Sequence, residues 1–195
     1  KEKAINIAKK FGFKLEPVNI NRSSSVWDIG EDQRTLIQPL TSIKGLGDKA
    51  IEQIIEHRPF NSVEELLFSK EIVYSKLNKK ALDVLIKAEA VDELIDDRFK
   101  NQKHFWLSVA DNRPKTKKKL AENIEEYKGT EDFTRDEYIE TKTNITGMFP
   151  LTLVVSDDIV QRLNYYKVPT ISEWDNDLGV AWFIPREVIK RKTAK

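Results

Sequence analysis

The chain has 195 residues, 39% of them hydrophobic and 33% charged, enough apolar material to bury at least one core under a charged surface. Lysine and arginine number 33 against 32 aspartate and glutamate, so the net charge of +1 announces no polyanion partner, and any nucleic-acid affinity must come from a local patch. The absence of cysteine excludes a disulfide scaffold and thiolate zinc sites and agrees with a cytoplasmic location, while the longest apolar runs, such as 151–155, fall far short of a membrane span.

In chain order, Ile5, Ala8 and Phe11 fall at helical spacing, with Gly12 as the stop. Phe13 to Leu15 alternates as a strand, Val26 to Ile29 reads as another, and residues 33–38 extend the same small sheet. Beyond Pro39, Leu40 and Ile43 precede a glycine turn, and Ala50, Ile51, Ile54 and Ile55 form the stripe of a helix stopped at Arg58-Pro59. Ser62 and Glu65 have capping-box spacing ahead of Leu66, Leu67 and Phe68, and Asn78 caps a helix carrying Leu82, Leu85 and Ile86. Further helices are expected over 98–109 and 119–127, with the basic stretch 111–119 between them as a candidate boundary. Thr134 caps a helix interrupted at Gly147 and Pro150, after which Val160, Leu163 and Tyr166 open a small terminal subdomain. Its last run, Val180 to Ile184, has the character of a buried strand. The first residue is not methionine and the chain closes on the charged run 190–195, as expected for a piece of a longer protein.

These elements predict a mainly α protein: a helix-hairpin-helix DNA-binding domain with short β elements near both ends. The segments are 1–38, 39–98 (two hairpins in tandem), 99–150 (a helical linker region) and 151–195.

The most informative stretch is Lys44-Gly45-Leu46-Gly47-Asp48-Lys49-Ala50. Gly45 and Gly47 permit positive φ and carry no Cβ, so backbone N–H groups can approach a phosphate closely. A helix beginning near Asp48 aims its free N–H groups and positive dipole end at the same oxygens. Lys44 and Lys49 flank the turn as counter-charges, Leu46 turns inward, and Ala50 stays small for close packing. The expected ligand is duplex DNA, held through its backbone. Ile86-Lys87-Ala88-Glu89-Ala90 echoes the same spacing with alanine at both glycine positions and a carboxylate that repels phosphate, so it is assigned a structural role. Lys76, Lys79 and Lys80 are auxiliary cations beside it.

The order of landmarks resembles the bacterial C-family replicase, the DNA polymerase III alpha subunit, downstream of its catalytic palm. The residues that carry this are Gly12 through Ser23, Ser42 through Gly47 with Arg58-Pro59-Phe60, Asn78 through Ala88, Ile145 through Leu151 with Phe149 where the family usually has His, and Gly179 onward. Where the family usually continues Gly-Ala-Phe-Asp, this chain has Glu89-Ala90-Val91-Asp92. The resemblance implies the end of the fingers, the hairpin region and the start of an OB-fold. It also implies primer-template duplex as partner and a parent polymerase that uses magnesium.

No catalytic or metal-ligating residue is assigned within the chain, and no cofactor is expected for it. Asp157-Asp158 and Asp175-Asn176-Asp177 read as cap and turn residues rather than a two-metal site, and His57 and His104 as surface or packing residues. Thr130-Glu131-Asp132-Phe133 is the one candidate contact for a sliding clamp, read first as an acidic loop with an anchoring Phe. The alternative function is a protein-interaction module that docks a clamp or another replisome protein through Trp106, Phe133 or Trp174, with the hairpin purely structural.

Overall fold

Alternating residues before Pro39 and helical stripes after it fold into a small sheet followed by a succession of short helices. The computed structural model describes residues 5, 7, 8, 11–147, 155–171, 174, 179–183 and 185. The chain divides into two units, Lys1–Pro150 and Leu151–Lys195.

In the first unit Ile5, Ile7 and Ala8 are helical, and Gly12 closes that helix at φ +82° with the Phe13 amide on the Ala8 carbonyl at 3.0 Å. Strands β1 (Lys14–Glu16), β2 (Asp28–Ile29) and β3 (Thr35–Ile37) form one sheet of order β1-β3-β2. β1 runs parallel to β3 with Leu15 opposite Leu36, and β2 antiparallel with Ile29 opposite Leu36.

The helices are α1 (Asp48–His57), α2 (Val63–Phe68), α3 (Lys79–Lys87), α4 (Gln102–Trp106), α5 (Lys117–Glu126) and α6 (Arg135–Thr146). Their apolar stripes meet in one core that includes Leu40, Ile43, Ile54, Leu66, Leu82, Leu85, Phe105 and Leu120. Burying each large aliphatic side chain contributes about 1.5–3 kcal/mol, so packing rather than local propensity holds helices this short.

The caps follow local chemistry. Asn78 accepts the Ala81 amide, Asn101 that of His104 and Thr116 that of Lys119, while Thr134 and Glu137 form a full capping box. Ser62 does cap α2, but Glu65 reaches back to the Asn61 amide (2.7 Å) instead of Ser62, so the box expected there is only half formed.

Residues 40–42, ahead of the glycine turn, make a single turn of 3₁₀ helix. Two expectations change. The helix expected from Arg98 begins at Gln102, because Arg98 is drawn into a fork with Glu64 (2.6 Å) and Asp96 (2.6 Å), and it runs into a π turn over Leu107–Asp111. The stretch 111–119 is no free linker: Asp111 pairs with Lys79 at 3.0 Å, Pro114 is buried, and Lys117 to Lys119 form the first turn of α5.

His104 is a core residue. It is 0% exposed, its Nδ1 accepts the Lys100 amide (3.0 Å), and its Nε2 donates to the Ile124 carbonyl (2.7 Å). Those two partners fix the Nε2-protonated neutral tautomer.

The second unit contains α7 (Asp157–Tyr165) and an isolated parallel bridge between Thr170 and Trp182. Val180 and Phe183 are exposed, so the run expected to be a buried strand pairs, among the described residues, through Trp182. Ile184, Asp175 to Asp177, 148–154 and the basic end 186–195 lie outside the described residues.

Candidate nucleic-acid interface

The hairpin turn joins the 3₁₀ turn at Leu40–Ser42 to α1, and its two glycines do different things. Gly45 has φ +93°, a left-handed conformation that L residues resist, and a Cβ there would stand 3.5 Å from Val84 Cγ1 and 3.8 Å from Lys80 Cε. Gly47 is the N-cap of α1 at φ −82°, ψ 154°, a conformation open to any residue, and a Cβ there would meet nothing within 4 Å. The expectation that both glycines supply positive φ therefore holds for Gly45 alone. At Gly47 the missing side chain keeps open space in front of the helix end.

No side chain caps α1. Among the described residues the amides of Gly45, Gly47, Asp48 and Lys49 have no protein acceptor. The Lys44 amide, by contrast, donates to the Ile145 carbonyl at the end of α6 (2.8 Å), which pins the turn from outside. Leu46 is buried, as is Ala50. Gly45, Gly47, Asp48, Lys49 and Ala50 line an open groove of about 590 Å³. Lys44 and Leu46 do not.

Ser75, Lys76, Asn78, Lys80 and Ala81, from the turn before α3 and its first residues, form the other wall. Lys76 and Lys80 thus meet the hairpin across the groove, whereas Lys79 is bound to Asp111 and takes no part in the lining. Lys49, Lys76 and Lys80 supply positive charge, tempered by Asp48 and Glu52 on the same rim.

The echo of the hairpin at 86–90 is interior. Ala88 and Ala90 are buried, the Ala90 carbonyl accepts the Ile20 amide (2.7 Å), and Gln102 donates to the Ile86 carbonyl (3.0 Å). Only a 3₁₀ turn, Asp92–Leu94, follows it. Glu89 sits at φ +60°, where the Ala90 amide returns to the Leu85 carbonyl and closes α3 as a glycine C-cap would, and its carboxylate is ion-paired to Lys142 of α6. The backbone at position 89 is thus one that favours glycine.

Beside it, partial desolvation by the surrounding protein pushes Asp92 up to about 6 although the residue still reaches solvent, helped by the charge of Glu89 and opposed by the Gln102 hydrogen bond and by Lys142. A carboxyl raised in the native state holds its proton while the unfolded chain has released it, so its contribution falls as pH rises from about 4 to about 6 and stays lost above. Asp92→Asn is expected to raise the melting temperature near neutral pH and to leave it unchanged near pH ~3.5. A gain of equal size at both pH values would contradict this.

Of the aromatics proposed for partner docking, Trp106 and Phe133 are half-buried against neighbours, whereas Trp174 is exposed. Trp106 donates to Asp83 (2.7 Å) beneath Lys87, and Phe133 lies between Trp106 (5.9 Å) and Tyr138 (5.6 Å). Asp132 and the Thr130 carbonyl accept bonds from Lys103 and Asn101. The loop 130–133 is thereby anchored by its Phe.

Two residues that brace the groove, Gln53 and Arg113, were not singled out from the sequence. Gln53, 2% exposed on the apolar face of α1, accepts the Val73 amide (2.9 Å); a polar residue inside an Ile stripe was the available signal. Arg113 donates to the Tyr74 carbonyl (3.0 Å) and left no local trace. Arg58, read in the sequence as the residue at which the helix stops, donates to the Ser23 carbonyl (2.8 Å).

Among the described residues no group of three His, Cys, Asp or Glu could hold a metal ion, and no helix is long and apolar enough to cross a membrane.

A short turn feeding an uncapped helix through a bare glycine loop is the geometry of a helix-hairpin-helix, and the family model of the helix-hairpin-helix motif matches residues 12–101. The chain also carries a likeness to DNA polymerase III subunits. The chain is 34% identical over 92 residues to the DNA polymerase III subunit alpha of Deinococcus radiodurans, covering 45% of this chain and 7% of that protein. It is 30% identical over 100 residues to the subunit alpha of Helicobacter pylori (46% and 8%) and 29% identical over 89 residues to the DNA polymerase III PolC-type of Lacticaseibacillus paracasei (44% and 6%). Residues 12–101 therefore match the helix-hairpin-helix motif, and the chain is similar over about half its length to DNA polymerase III alpha subunits. These matches extend over about half the chain, less than the resemblance read from its landmarks, and span no more than 8% of the length of these relatives.

Proposed function

We propose that residues 12–101 grip the phosphate backbone of duplex DNA without reading its sequence, as an accessory region of a replicative DNA polymerase. One observation carries the proposal: four unspent amides around two side-chain-free glycines open onto a groove whose other wall holds Lys76 and Lys80. Backbone N–H groups and lysines recognise phosphate and carry no base information. Asp48 and Glu52 on the rim keep the field weak, so affinity is modest and rests on few phosphates.

The relatives' names supply the polymerase context. On this reading the duplex is a primer-template, and any magnesium chemistry of the parent enzyme belongs outside this chain. Packing of Phe133 against Trp106 and Tyr138 favours an anchoring role for that loop over clamp docking.

Two duplexes of equal length and unrelated sequence test the proposal. Affinities within about twofold of each other, both falling with salt, are expected. A tenfold preference for one sequence, the scale of a specific base contact, would contradict it.

A further inference from the structure

The wall that faces the hairpin is the turn Val73–Leu77, and it is held from two sides. Leu77 is 0% exposed, and Gln53 accepts the Val73 amide at 2.9 Å. From the other side Arg113 lies over the Tyr74 ring, 3.8 Å from its centroid, and its Nη1 donates to the Tyr74 carbonyl at 3.0 Å. The Nε and Nη2 of Arg113 are buried with no hydrogen-bond partner among the described residues, and no carboxylate pairs with it there. A guanidinium in that position is costly by itself, and its visible compensation is the stack and the single bond to residue 74.

Arg113 reaches Tyr74 because of the π turn. The widened turn Leu107–Asp111 ends with the Asn112 amide on the Leu107 carbonyl (3.1 Å). Asn123 of α5, 1% exposed, locks that exit by donating to the carbonyls of Ser108 (3.0 Å) and Asn112 (2.7 Å). The same exit delivers Asp111 to Lys79, which draws Lys79 away from the groove. π turns are rare and recur at functional sites. Here the turn places one cation behind the wall and takes another out of the lining.

We infer that Arg113 is a positioning residue for DNA binding: it clamps Tyr74 so that Lys76, two residues on, faces the hairpin across the groove. It need not touch DNA. This rests on the proposed phosphate grip, and the experiment separates the two.

Duplex affinity is measured for the whole chain from about 50 to about 200 mM salt in Arg113→Met, Lys76→Ala, the double variant and Gly47→Glu. Methionine keeps the stem and removes a buried charge that no acid depends on, so the fold survives. Arg113→Met is expected to bind more weakly and to lose about one phosphate's worth of salt slope, so its deficit relative to the native chain shrinks up to about 3.5-fold over that range. It is expected to add less than about twofold to Lys76→Ala, since both remove one contact.

Native-like binding by a folded Arg113→Met, or losses that multiply with those of Lys76→Ala, would overturn the inference. Should Arg113→Met not fold, Tyr74→Leu, at an exposed ring, carries the same expectations and the same overturning result. If Gly47→Glu and Lys76→Ala weaken binding and Arg113→Met does not, only the positioning role fails. If none of them alters binding, the phosphate grip fails and takes this inference with it.

Discussion

Gly45→Ala is expected to cost about 1–2 kcal/mol of stability, the penalty for holding an L residue at positive φ, whereas Gly47→Ser is expected to stabilise the fold by a few tenths (~0.3 kcal/mol). The opposite signs follow from the backbone. Gly45 stands at φ +93°, while Gly47 is already in N-cap geometry with no side chain to offer the helix. A serine hydroxyl at 47 caps the free amides of α1, and in doing so occupies donors assigned to phosphate. Gly47→Ser should therefore be more stable and bind DNA less well. Denaturant midpoints and duplex affinities on the same preparations check both. A destabilised Gly47→Ser, or one that binds DNA as the native chain does, contradicts the roles assigned to the two glycines.

The second large effect is expected at His104. Replacing it by Phe keeps a ring of similar size and strips both hydrogen bonds, leaving the Lys100 amide and the Ile124 carbonyl unpaired inside the protein. Each orphaned group costs about 1–3 kcal/mol. His104→Gln, which can both accept and donate, is expected to recover part of the loss. A denaturation midpoint for His104→Phe equal to the native one would show that the histidine does not bridge α5 to the turn before α4.

The hairpin was legible because its chemistry is local: the glycine spacing, the Ile stripe of α1 and the stop at Pro59 each have a short-range cause. So were the caps at Ser62, Asn78 and Thr134. What escaped depends on partners distant in sequence. The stretch 111–119 looks like a linker by composition, yet Asp111 and Arg113 find Lys79 and Tyr74 more than thirty residues away. Trp106 and Phe133 look available to a partner until each is seen to cover the other. Lys79 looked equivalent to Lys80, and only packing separates them, since Asp111 takes the Lys79 side chain. Glu89 shows the limit of pattern matching from the other direction. Aligning it with Leu46 by spacing conceals that its backbone is the one needing a glycine-like φ.

The most direct measurement is duplex DNA affinity of the native chain and of Gly47→Glu across a salt series, with the melting temperature of each. Position 47 is structurally permissive, so a change there reports on the approach of a ligand rather than on folding. The expected result is native binding that weakens with salt at a log-log slope near −0.9 per phosphate, and a Gly47→Glu chain of similar melting temperature that binds about tenfold more weakly. Equal, salt-independent binding by the two chains would contradict the phosphate grip.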